Sequence, residues 1–179
     1  AECMESVVTQ TLRDIEIICV NDGSTDGSFK ILKEYEKRDK RVTLISQENR
    51  GYGYAMNRGI MYASGEYIGI VEPDDYIVPD MYQDLYRTAK EYELDFVKAD
   101  FYRFTTGADG EREFVYNHLS QKPEDYNKVF TPARCPETLR FVMNTWSGIY
   151  RREFLEEHNI RHHETPGASF QDNGFWIQT

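Results

Sequence analysis

The sequence contains few of the residues from which disulfide frameworks and membrane spans are built. Only three cysteines occur among its 179 residues, and they lie far apart at Cys3, Cys19 and Cys135. Such an odd, scattered set does not suit a disulfide framework or a zinc site, so we expect a reducing compartment. No stretch approaches the roughly 20 apolar residues of a transmembrane helix. The first residues lack the basic and apolar regions of a signal peptide, so we expect none.

Positive charge is also scarce. The chain has 21 lysines and arginines against 31 aspartates and glutamates, which gives a formal net charge of −10. Surfaces that bind nucleic acids are basic, so we expect no nucleic-acid partner. The same charge repels an anionic nucleotide unless a metal ion or a local basic group intervenes. The length and the 40% hydrophobic content are those of about one domain with a substantial core.

Short apolar strands alternate with amphipathic helices along the chain. Strands are predicted at residues 15–20, 42–45, 67–71, 95–101 and 146–150. Helices are predicted at residues 5–12, 28–38, 80–92, 136–143 and 152–157, with one more that ends near residue 63. This order predicts an α/β fold with a mostly parallel sheet and helices on both faces.

Three carboxylates follow the third of these strands, in the run Glu72-Pro73-Asp74-Asp75. Pro73 cannot donate to a sheet ladder, so the strand should stop at Glu72 and leave the carboxylates at its carboxyl end. Ligands bind at that edge in open α/β sheets, and crowded oxygen ligands suit Mg²⁺ or Mn²⁺ shared with phosphates. The structural alternative is a polar turn that leads into a helix capped by Asp80.

A second polar turn follows the first strand, in Asn21-Asp22-Gly23-Ser24-Thr25-Asp26-Gly27. Its residue types suit either a helix cap or a ligand loop. Asp22 and the acidic run both lie at carboxyl ends of strands, so we expect them to open onto one crevice. The glycine-rich segment 49–59 has the composition of a phosphate loop but lacks the P-loop and dinucleotide patterns.

The last part of the chain carries further titratable residues. His162 and His163 are adjacent, so on regular structure their side chains point apart, and we expect a surface pair rather than a chelating one. Asp172 precedes the apolar residues 175–177 and would suit an N-cap if it has no chemical role.

Taken together, the ordered motifs resemble the family 2 glycosyltransferases, inverting enzymes of the GT-A type that use nucleotide sugars. Each motif is modest, but the set covers most of the chain in the expected order. The matching segments are Gln10-Thr11-Leu12, Val20-Asn21-Asp22-Gly23-Ser24-Thr25-Asp26, Asn49-Arg50-Gly51, Asn57-Arg58-Gly59, Gly65-Glu66-Tyr67, Glu72-Pro73-Asp74-Asp75, Trp146-Ser147-Gly148-Ile149-Tyr150 and Gln171-Asp172.

The resemblance implies roles for individual residues. Four of them belong to the donor site, namely Asp22, Asn57, Glu72 and Asp75. Asp22 matches the aspartate that holds the uracil or ribose, and Asp74 matches the metal ligand. Asp172 matches the general base. Trp146 matches a position near the acceptor, although core packing is an equally good interpretation of this aromatic residue.

Some positions depart from the family pattern. Glu72 replaces the usual first aspartate, Met56 stands where an arginine is common, and Gln171 stands where a glutamate often precedes the base. The first strand of such domains, which ends in Pro-x-Tyr-Asn, is missing before Ala1. We therefore expect a fragment whose full form begins earlier and ends later.

The expected organisation has three parts. Residues 1–104 form the nucleotide-sugar-binding α/β half. Residues 105–135, rich in Gly, Asp, Glu, Lys and Pro, form an irregular insertion or lid. Residues 136–179 form the acceptor-side segment of the same catalytic domain.

The implied reaction moves a sugar from a nucleotide-diphosphate sugar, expected to be a UDP-sugar, to a hydroxyl of a saccharide or lipid-linked acceptor. It inverts the anomeric centre in a single displacement assisted by Mn²⁺ or Mg²⁺. The family further implies bacterial surface polysaccharide assembly in the cytoplasm, at the inner face of the membrane, with peripheral membrane association through parts outside this chain. The oligomeric state is left open.

Three other functions compete with this interpretation. A sugar-nucleotide pyrophosphorylase shares the sheet type, but it opens with a basic glycine-rich phosphate loop that this sequence lacks. A phosphoacceptor receiver module also groups acids around Mg²⁺ at strand ends, but such modules are shorter than this chain. A binding-only relative of the transferase is the third alternative, because Met56 and the missing strand depart from the family pattern.

Overall fold

The computed structural model describes residues 1–141, 144–165 and 171–179. The helices are α1 (Glu2–Val8), α2 (Ser28–Arg38), α3 (Tyr52–Tyr62), α4 (Met81–Glu91), α5 (Arg152–Glu157) and α6 (Gln171–Gln178). The strands are β1 (Ile17–Asp22), β2 (Val42–Gln47), β3 (Tyr67–Gly69), β4 (Phe96–Lys98), β5 (Phe101–Thr106), β6 (Arg112–Asn117) and β7 (Gly148–Arg151). Within the described ranges every helix is too short or too polar to traverse a lipid bilayer.

The strands form one parallel pair and one mixed-direction group that place the candidate site. β1 and β2 are parallel, from Ile17 opposite Val42 to Asp22 opposite Gln47. β7 lies between β3 and β4 and is antiparallel to both, so β3 and β4 run the same way. The predicted α/β class is confirmed. A strand was predicted over 146–150, where β7 lies, but its antiparallel direction was not, because β7 follows a long segment without the helical crossover that makes neighbouring strands parallel.

Helix bounds follow the amphipathic pattern closely where the pattern is strong. α2 and α5 begin and end where predicted. α2 buries Tyr35 and packs Ile31 and Leu32 against the core under β1 and β2. The helix predicted over 136–143 is instead a 3₁₀ turn at Pro136–Arg140, and residues 142–143 lie outside the described ranges.

The start of α4 shows how a distant residue replaces an expected local cap. Asp80 precedes α4, but its side chain makes no capping hydrogen bond, so the prediction of an Asp80 cap is wrong. The main-chain N–H of Tyr82 donates instead to Oε1 of Gln10, which is fully buried. The amide of Gln10 also donates to the carbonyl of Val78 at 2.7 Å. Gln10, two residues after the end of α1, thus fixes the segment between the acidic run and α4.

Residues 101–117 form a β-hairpin rather than the irregular segment predicted from residue 105 onward. β5 and β6 are antiparallel, with Tyr102 opposite Tyr116 and Phe104 opposite Phe114. Paired aromatic rings on one face stabilise such a hairpin, and the prediction missed it because charged residues interrupt the alternation. The ring of Phe104 also lies 5.6 Å from that of Tyr76, just after the acidic run.

The core consists of three clusters that hold the elements around the candidate site. The first joins α3, β3, β7 and the C-terminal helices through Ile60, Ile68, Tyr150, Leu155, Ile160 and Phe175. The second joins α1, β1, α2 and β2 through Met4, Val7, Ile17, Tyr35 and Val42. The third joins α4 to β7 through Leu85, Ala89 and Ile149. Burial of this kind contributes about 1.5–3 kcal/mol for each large apolar side chain.

Candidate functional site

Asp22 lies at the carboxyl end of β1 and holds the loop that leads into α3. Its Oδ1 accepts hydrogen bonds from Nε2 of Gln47 at 2.7 Å and from the N–H of Arg50 at 3.0 Å. Its Oδ2 accepts from the N–H of Gly51 at 2.8 Å. The carboxylate therefore binds the ends of both parallel strands to the start of α3. Its predicted role towards a donor nucleoside stays a prediction.

Gly51 requires the freedom of a glycine at this corner. Its φ of 92° and ψ of 164° lie in a region that residues with a Cβ rarely adopt. The chain can therefore turn from the strand edge into α3 while the N–H of Gly51 faces Asp22. In this segment, which has the composition of a phosphate loop, Gly51 thus allows the backbone turn that begins α3.

Glu72 is held by Tyr52, the first residue of α3. The hydroxyl of Tyr52 donates to Oε1 of Glu72 at 2.6 Å. Burial, together with the neighbouring carboxylates of Asp74, Asp75 and Asp172, raises the pKa of Glu72, although the Tyr52 hydrogen bond acts in the opposite direction. Glu72 is therefore oriented towards α3. Of the two acids in the predicted metal motif, Glu72 and Asp74, Asp74 is the more accessible.

Asp74 and Asp75 form the outer part of the acidic run. Asp74 is exposed, whereas Asp75 is partly buried, and its N–H closes a turn onto the carbonyl of Glu72. Burial and the adjacent charge of Asp74 raise the pKa of Asp75. The neighbouring charges that raise the pKa of Glu72 and Asp75 are carboxylates. A cation placed beside Asp74 would relieve this repulsion.

Asp172 reaches the same region from the other end of the chain. It lies in the first turn of α6, so it is not the N-cap that the sequence also allowed. The residue before it, Gln171, accepts a hydrogen bond from the N–H of Gly53 at 2.7 Å. Burial raises the pKa values of both Tyr52 and Glu72, and the charge of Asp172 adds to each shift in the same direction.

The start of α3 is thus the centre of the site. Gly51, Tyr52 and Gly53 are consecutive, and they bind Asp22, Glu72 and Gln171 respectively. The structure therefore brings the predicted residues of the first strand end, the acidic run and the C-terminal helix around one helix start.

Asn57 makes contacts that the sequence did not suggest. Its Oδ1 accepts from the N–H of His162, and its Nδ2 donates to the carbonyl of His162 and to Oε1 of Glu164, each at 2.9 Å. The amide therefore fastens the segment 162–165 to α3. The prediction that Asn57 lines a nucleoside pocket stays untested, and its amide is already engaged with this segment.

Trp146 lies in a segment that adjoins the site, but its ring packs away from the acids. The indole meets Phe101 edge to face, with 4.8 Å between ring centroids. Thr145, the preceding residue, lies beside the hydroxyl of Tyr52. The acceptor-side role of Trp146 stays a prediction. The contact with Phe101 gives this aromatic residue a structural role.

His162 is buried, so the prediction of a surface pair is wrong for this residue. Only 3% of it is exposed, and its ring stacks on Phe175 with 4.4 Å between centroids. Neither ring nitrogen has a hydrogen-bond partner among the described residues. Burial lowers the pKa of His162 to about 4, while the charge of Asp172 acts in the opposite direction. His163 does remain exposed.

The buried imidazole predicts acid sensitivity of the fold. The pKa of His162 is about 4 when folded and 6.5 at its ordinary value, so the unfolded chain binds an extra proton between these pH values. Stability should therefore fall as pH drops from 6.5 to 4, by about 3 kcal/mol. His162→Phe should remove this loss, as measured by urea unfolding across this range.

Other groups titrate in the same window, so the comparison between variants is the informative quantity. Glu72 acts in the opposite direction, because its raised pKa favours the folded state as pH falls. His158→Phe, which changes an exposed histidine after α5, is the matched control and should retain the wild-type pH dependence. Equal acid sensitivity in His162→Phe and wild type would contradict the prediction.

The space around Gly53 is too small for a larger side chain. A Cβ on Gly53 would overlap the carbonyl oxygen of His163. Gly53→Ala should therefore displace the segment 162–165 and destabilise the fold by about 1–3 kcal/mol. In the same helix, a Cβ on Gly59 would meet only Val20 at an ordinary 3.7 Å. Gly59→Ala should instead stabilise α3 by roughly 0.5–1 kcal/mol. Equal effects of the two variants in thermal unfolding would contradict this assignment.

A cavity of about 460 Å³ lies at the other end of β3 and is not part of the site. Its lining includes Glu66, Arg151 and Arg152, and Glu66 immediately precedes β3. The acidic run comes after β3, so the cavity and the candidate site lie at opposite ends of this strand. The glutamates of the cavity are partly balanced by the two arginines, as in the ion pair between Arg152 and Glu156.

Sequence reasoning missed Tyr52, Gly53 and Gln171 as organisers of the site. The segment 51–54 reads Gly-Tyr-Gly-Tyr, and its composition drew attention to phosphate binding. No local signal links Gly53 to Gln171, because the two lie 118 residues apart. A contact of that separation becomes visible only when the helices are placed in space.

Comparison with known proteins agrees with this geometry. The family model described as Glycosyl transferase family 2 matches residues 1–159. The uncharacterized glycosyltransferase EpsJ of Bacillus subtilis (strain 168) is 40% identical over 165 residues, which cover 89% of this chain and 46% of that protein. The cholesterol galactosyltransferase of Borreliella burgdorferi is 32% identical over 180 residues, which cover 98% of this chain and 49% of that protein.

The solved structures show the same fold. The structure of S. aureus TarS 1–349 in complex with UDP superimposes with a TM-score of 0.73 at 21% identity, covering 98% of this chain and 49% of that one. The chain spans about half the length of each of these proteins. Its fold is of the GT-A type, as predicted, and because the family model spans most of its residues the chain belongs to glycosyltransferase family 2.

Proposed function

We propose that this chain is the donor-binding and catalytic part of an enzyme that transfers a sugar from a nucleotide-diphosphate sugar to a hydroxyl group. The observation that carries the proposal is the meeting of Asp22, Glu72 and the pair Gln171-Asp172 at the start of α3. These residues come from the two ends and the middle of the chain. Their convergence around one helix start is what a shared ligand site requires.

The proposed donor is a UDP-sugar. Asp22 stands at the carboxyl edge of the parallel strands, where nucleotides bind in α/β sheets. The structurally similar TarS was solved in complex with UDP. In this assignment Asp22 fixes the loop 50–51 beside the nucleoside, and Asp75 lies on the side of the sugar.

The proposed metal is Mn²⁺ or Mg²⁺ held by Asp74. Among the described residues no three carboxylates, histidines or cysteines are grouped to hold a metal by themselves. Mg²⁺ commonly uses only one or two carboxylates together with phosphates and water, so the exposed Asp74 beside Asp75 fits this pattern. When bound, such a cation neutralises charge that develops on the leaving diphosphate.

Asp172 is the proposed general base. A carboxylate within about 3 Å of an acceptor hydroxyl can accept its proton as the oxygen attacks the anomeric carbon. Attack opposite the leaving diphosphate inverts that carbon in one displacement, and this route requires no nucleophilic protein residue. The nearby Glu72 is held by Tyr52, which leaves Asp172 as the carboxylate available for this step.

The acceptor is proposed to be a saccharide or a lipid-linked saccharide. Trp146 is assigned to the acceptor side, on the segment that follows Thr145 beside Tyr52. Bacterial surface polysaccharide assembly at the inner face of the membrane, with peripheral association through other parts of the protein, completes the proposal.

A thermal-shift panel of UDP-, GDP- and dTDP-sugars, with and without Mn²⁺, tests the proposal, followed by an assay for nucleotide release. We expect stabilisation by a UDP-sugar that depends on Mn²⁺, and release of UDP when an acceptor is supplied. Stabilisation without release under any acceptor would favour a binding-only relative. No stabilisation by any sugar nucleotide would overturn the proposal.

A further inference from the structure

Gln171 is buried at the junction between the two ends of the site. Only 2% of it is exposed. Its Oε1 accepts from the N–H of Gly53 at 2.7 Å. Its Nε2 donates to the carbonyl of Thr165 and, at 3.0 Å, to the hydroxyl of the same residue. The carboxamide thus joins α3 and the segment 162–165 to the first residue of α6.

A second contact on the same face of α3 holds the same segment. Asn57 lies four residues after Gly53, so both positions share one helix face. Its amide binds the N–H and the carbonyl of His162, each at 2.9 Å. The segment 162–165 is therefore fastened at both of its ends, by Asn57 at His162 and by Gln171 at Thr165.

Close packing leaves this junction little room to move. The backbone of His163 lies where a Cβ on Gly53 would be, and the ring of His163 lies 2.7 Å from a Cβ placed on Gly174 of α6. Two glycines on facing helices thus allow the segment to pass between α3 and α6. Gln171 provides a direct polar contact between the start of α6 and the start of α3.

We propose that Gln171 is a positioning residue that sets where the carboxylate of Asp172 lies relative to the acidic run. The inference rests on the proposed function, in which Asp172 accepts the proton of the acceptor hydroxyl. Asp172 follows Gln171 directly in the first turn of α6, so a shift of the Gln171 contact moves the base. A misplacement of about 1 Å in a catalytic group can cost about 100-fold in rate.

The chemistry of the carboxamide explains why this position holds a glutamine. One side of the junction presents an N–H from Gly53, and the other presents a carbonyl from Thr165. A carboxamide can accept from the first and donate to the second at the same time, without charge. A glutamate, which often precedes the base in the enzymes that this chain resembles, could still accept from Gly53, but when ionised it could not donate to Thr165, so the present contact pair is specific to the carboxamide.

Steady-state kinetics of three variants in the full chain test the inference, with a UDP-sugar as donor and UDP as the binding probe. Gln171→Met, which keeps the length but loses all three of these hydrogen bonds, should lower kcat by about 10- to 100-fold. The KM for the donor and the affinity for UDP should stay within about twofold, because Asp22 and Asp74 are not moved. Gln178→Met, at the exposed end of the same helix, is the matched control and should match wild type.

Gln171→Glu supplies a readout that a merely structural role would not give. Its rate should approach wild type at the acid end of a pH 5.5 to 9 profile, and it should fall progressively as the buried carboxyl ionises. This variant also keeps the test valid if Gln171→Met does not fold.

The outcomes separate this inference from the function on which it rests. A wild-type chain that transfers no sugar from any donor would overturn the proposed function, and the inference would fall with it. An active wild type with Gln171→Met at full kcat, or with a loss confined to donor KM and UDP affinity, would overturn the positioning role alone. A Gln171→Glu profile that parallels wild type would do the same.

Discussion

Replacing Asp172 by asparagine is expected to lower the transfer rate by about 10²- to 10⁴-fold, the usual contribution of a general base. Asparagine has the same shape but cannot accept the acceptor proton. The affinity for UDP should stay nearly intact, because Asp172 belongs to α6, whereas the nucleoside is assigned to Asp22 at the end of β1. Initial rates with saturating donor and calorimetric titration of UDP measure the two effects separately.

The structure predicts that this loss will not come from unfolding. The charge of Asp172 raises the pKa of the partly buried Glu72, which means that the two carboxylates repel each other. Removing one of them should leave the melting temperature unchanged or slightly higher. Glu157→Gln, which neutralises an exposed carboxylate in α5, is the control and should retain wild-type rate and affinity. Full activity of Asp172→Asn would remove Asp172 from the role of base.

The local parts of the fold were predictable because local physics determines them. α2 has a continuous amphipathic pattern with one buried face, and it begins and ends where the pattern does. The strand predicted before the acidic run is present, but β3 ends at Gly69 rather than at Glu72, so Pro73 is not what ends it. The first strand was predicted over 15–20 from its apolar residues, and β1 continues two residues further, through the polar Asn21 and Asp22, because these two still pair with β2.

The features that the sequence did not predict depend on contacts between distant residues. Gln10 replaces Asp80 as the partner of the α4 start, although 72 residues separate Gln10 from Tyr82. His162 was expected in a surface pair because adjacent side chains point apart, but its ring packs against both Phe175 and Tyr52. The strand β7 takes an antiparallel place between β3 and β4 that no local pattern specifies.

The same distinction applies to the candidate site. The residue types of the acidic run and of Asp172 indicated their chemistry, and the structure brings Glu72 and the residue before Asp172, Gln171, to neighbouring residues at the start of α3. Asn57 shows the limit of this reasoning, because a motif position cannot tell whether an amide meets a ligand or another part of the chain. Here it meets the main chain of His162. Tyr52 and Gln171 are ordinary residues in the sequence, and they gain their importance from where α3 begins.

Replacing Asp74 by asparagine is expected to weaken Mn²⁺-dependent binding of a UDP-sugar by about 100-fold, which corresponds to about 2.7 kcal/mol. The substitution removes the charge of the proposed metal ligand and keeps its shape, so the cation should lose its anchor between protein and diphosphate. Binding measured without metal should change little, and it should improve slightly, because one of the carboxylates that repel an anionic donor is gone. Calorimetric titrations with and without Mn²⁺ give both values.

Asp80→Asn is the matched control for this change. Asp80 is exposed, closes the same segment and makes no capping hydrogen bond, so its charge should have no specific effect on the metal. The difference between the two variants isolates position from charge, because each removes one carboxylate and the two lie only six residues apart in the sequence. If Mn²⁺ strengthened donor binding equally in Asp74→Asn and wild type, Asp74 would not be the metal ligand, and the repulsion within the acidic run would need another source of relief.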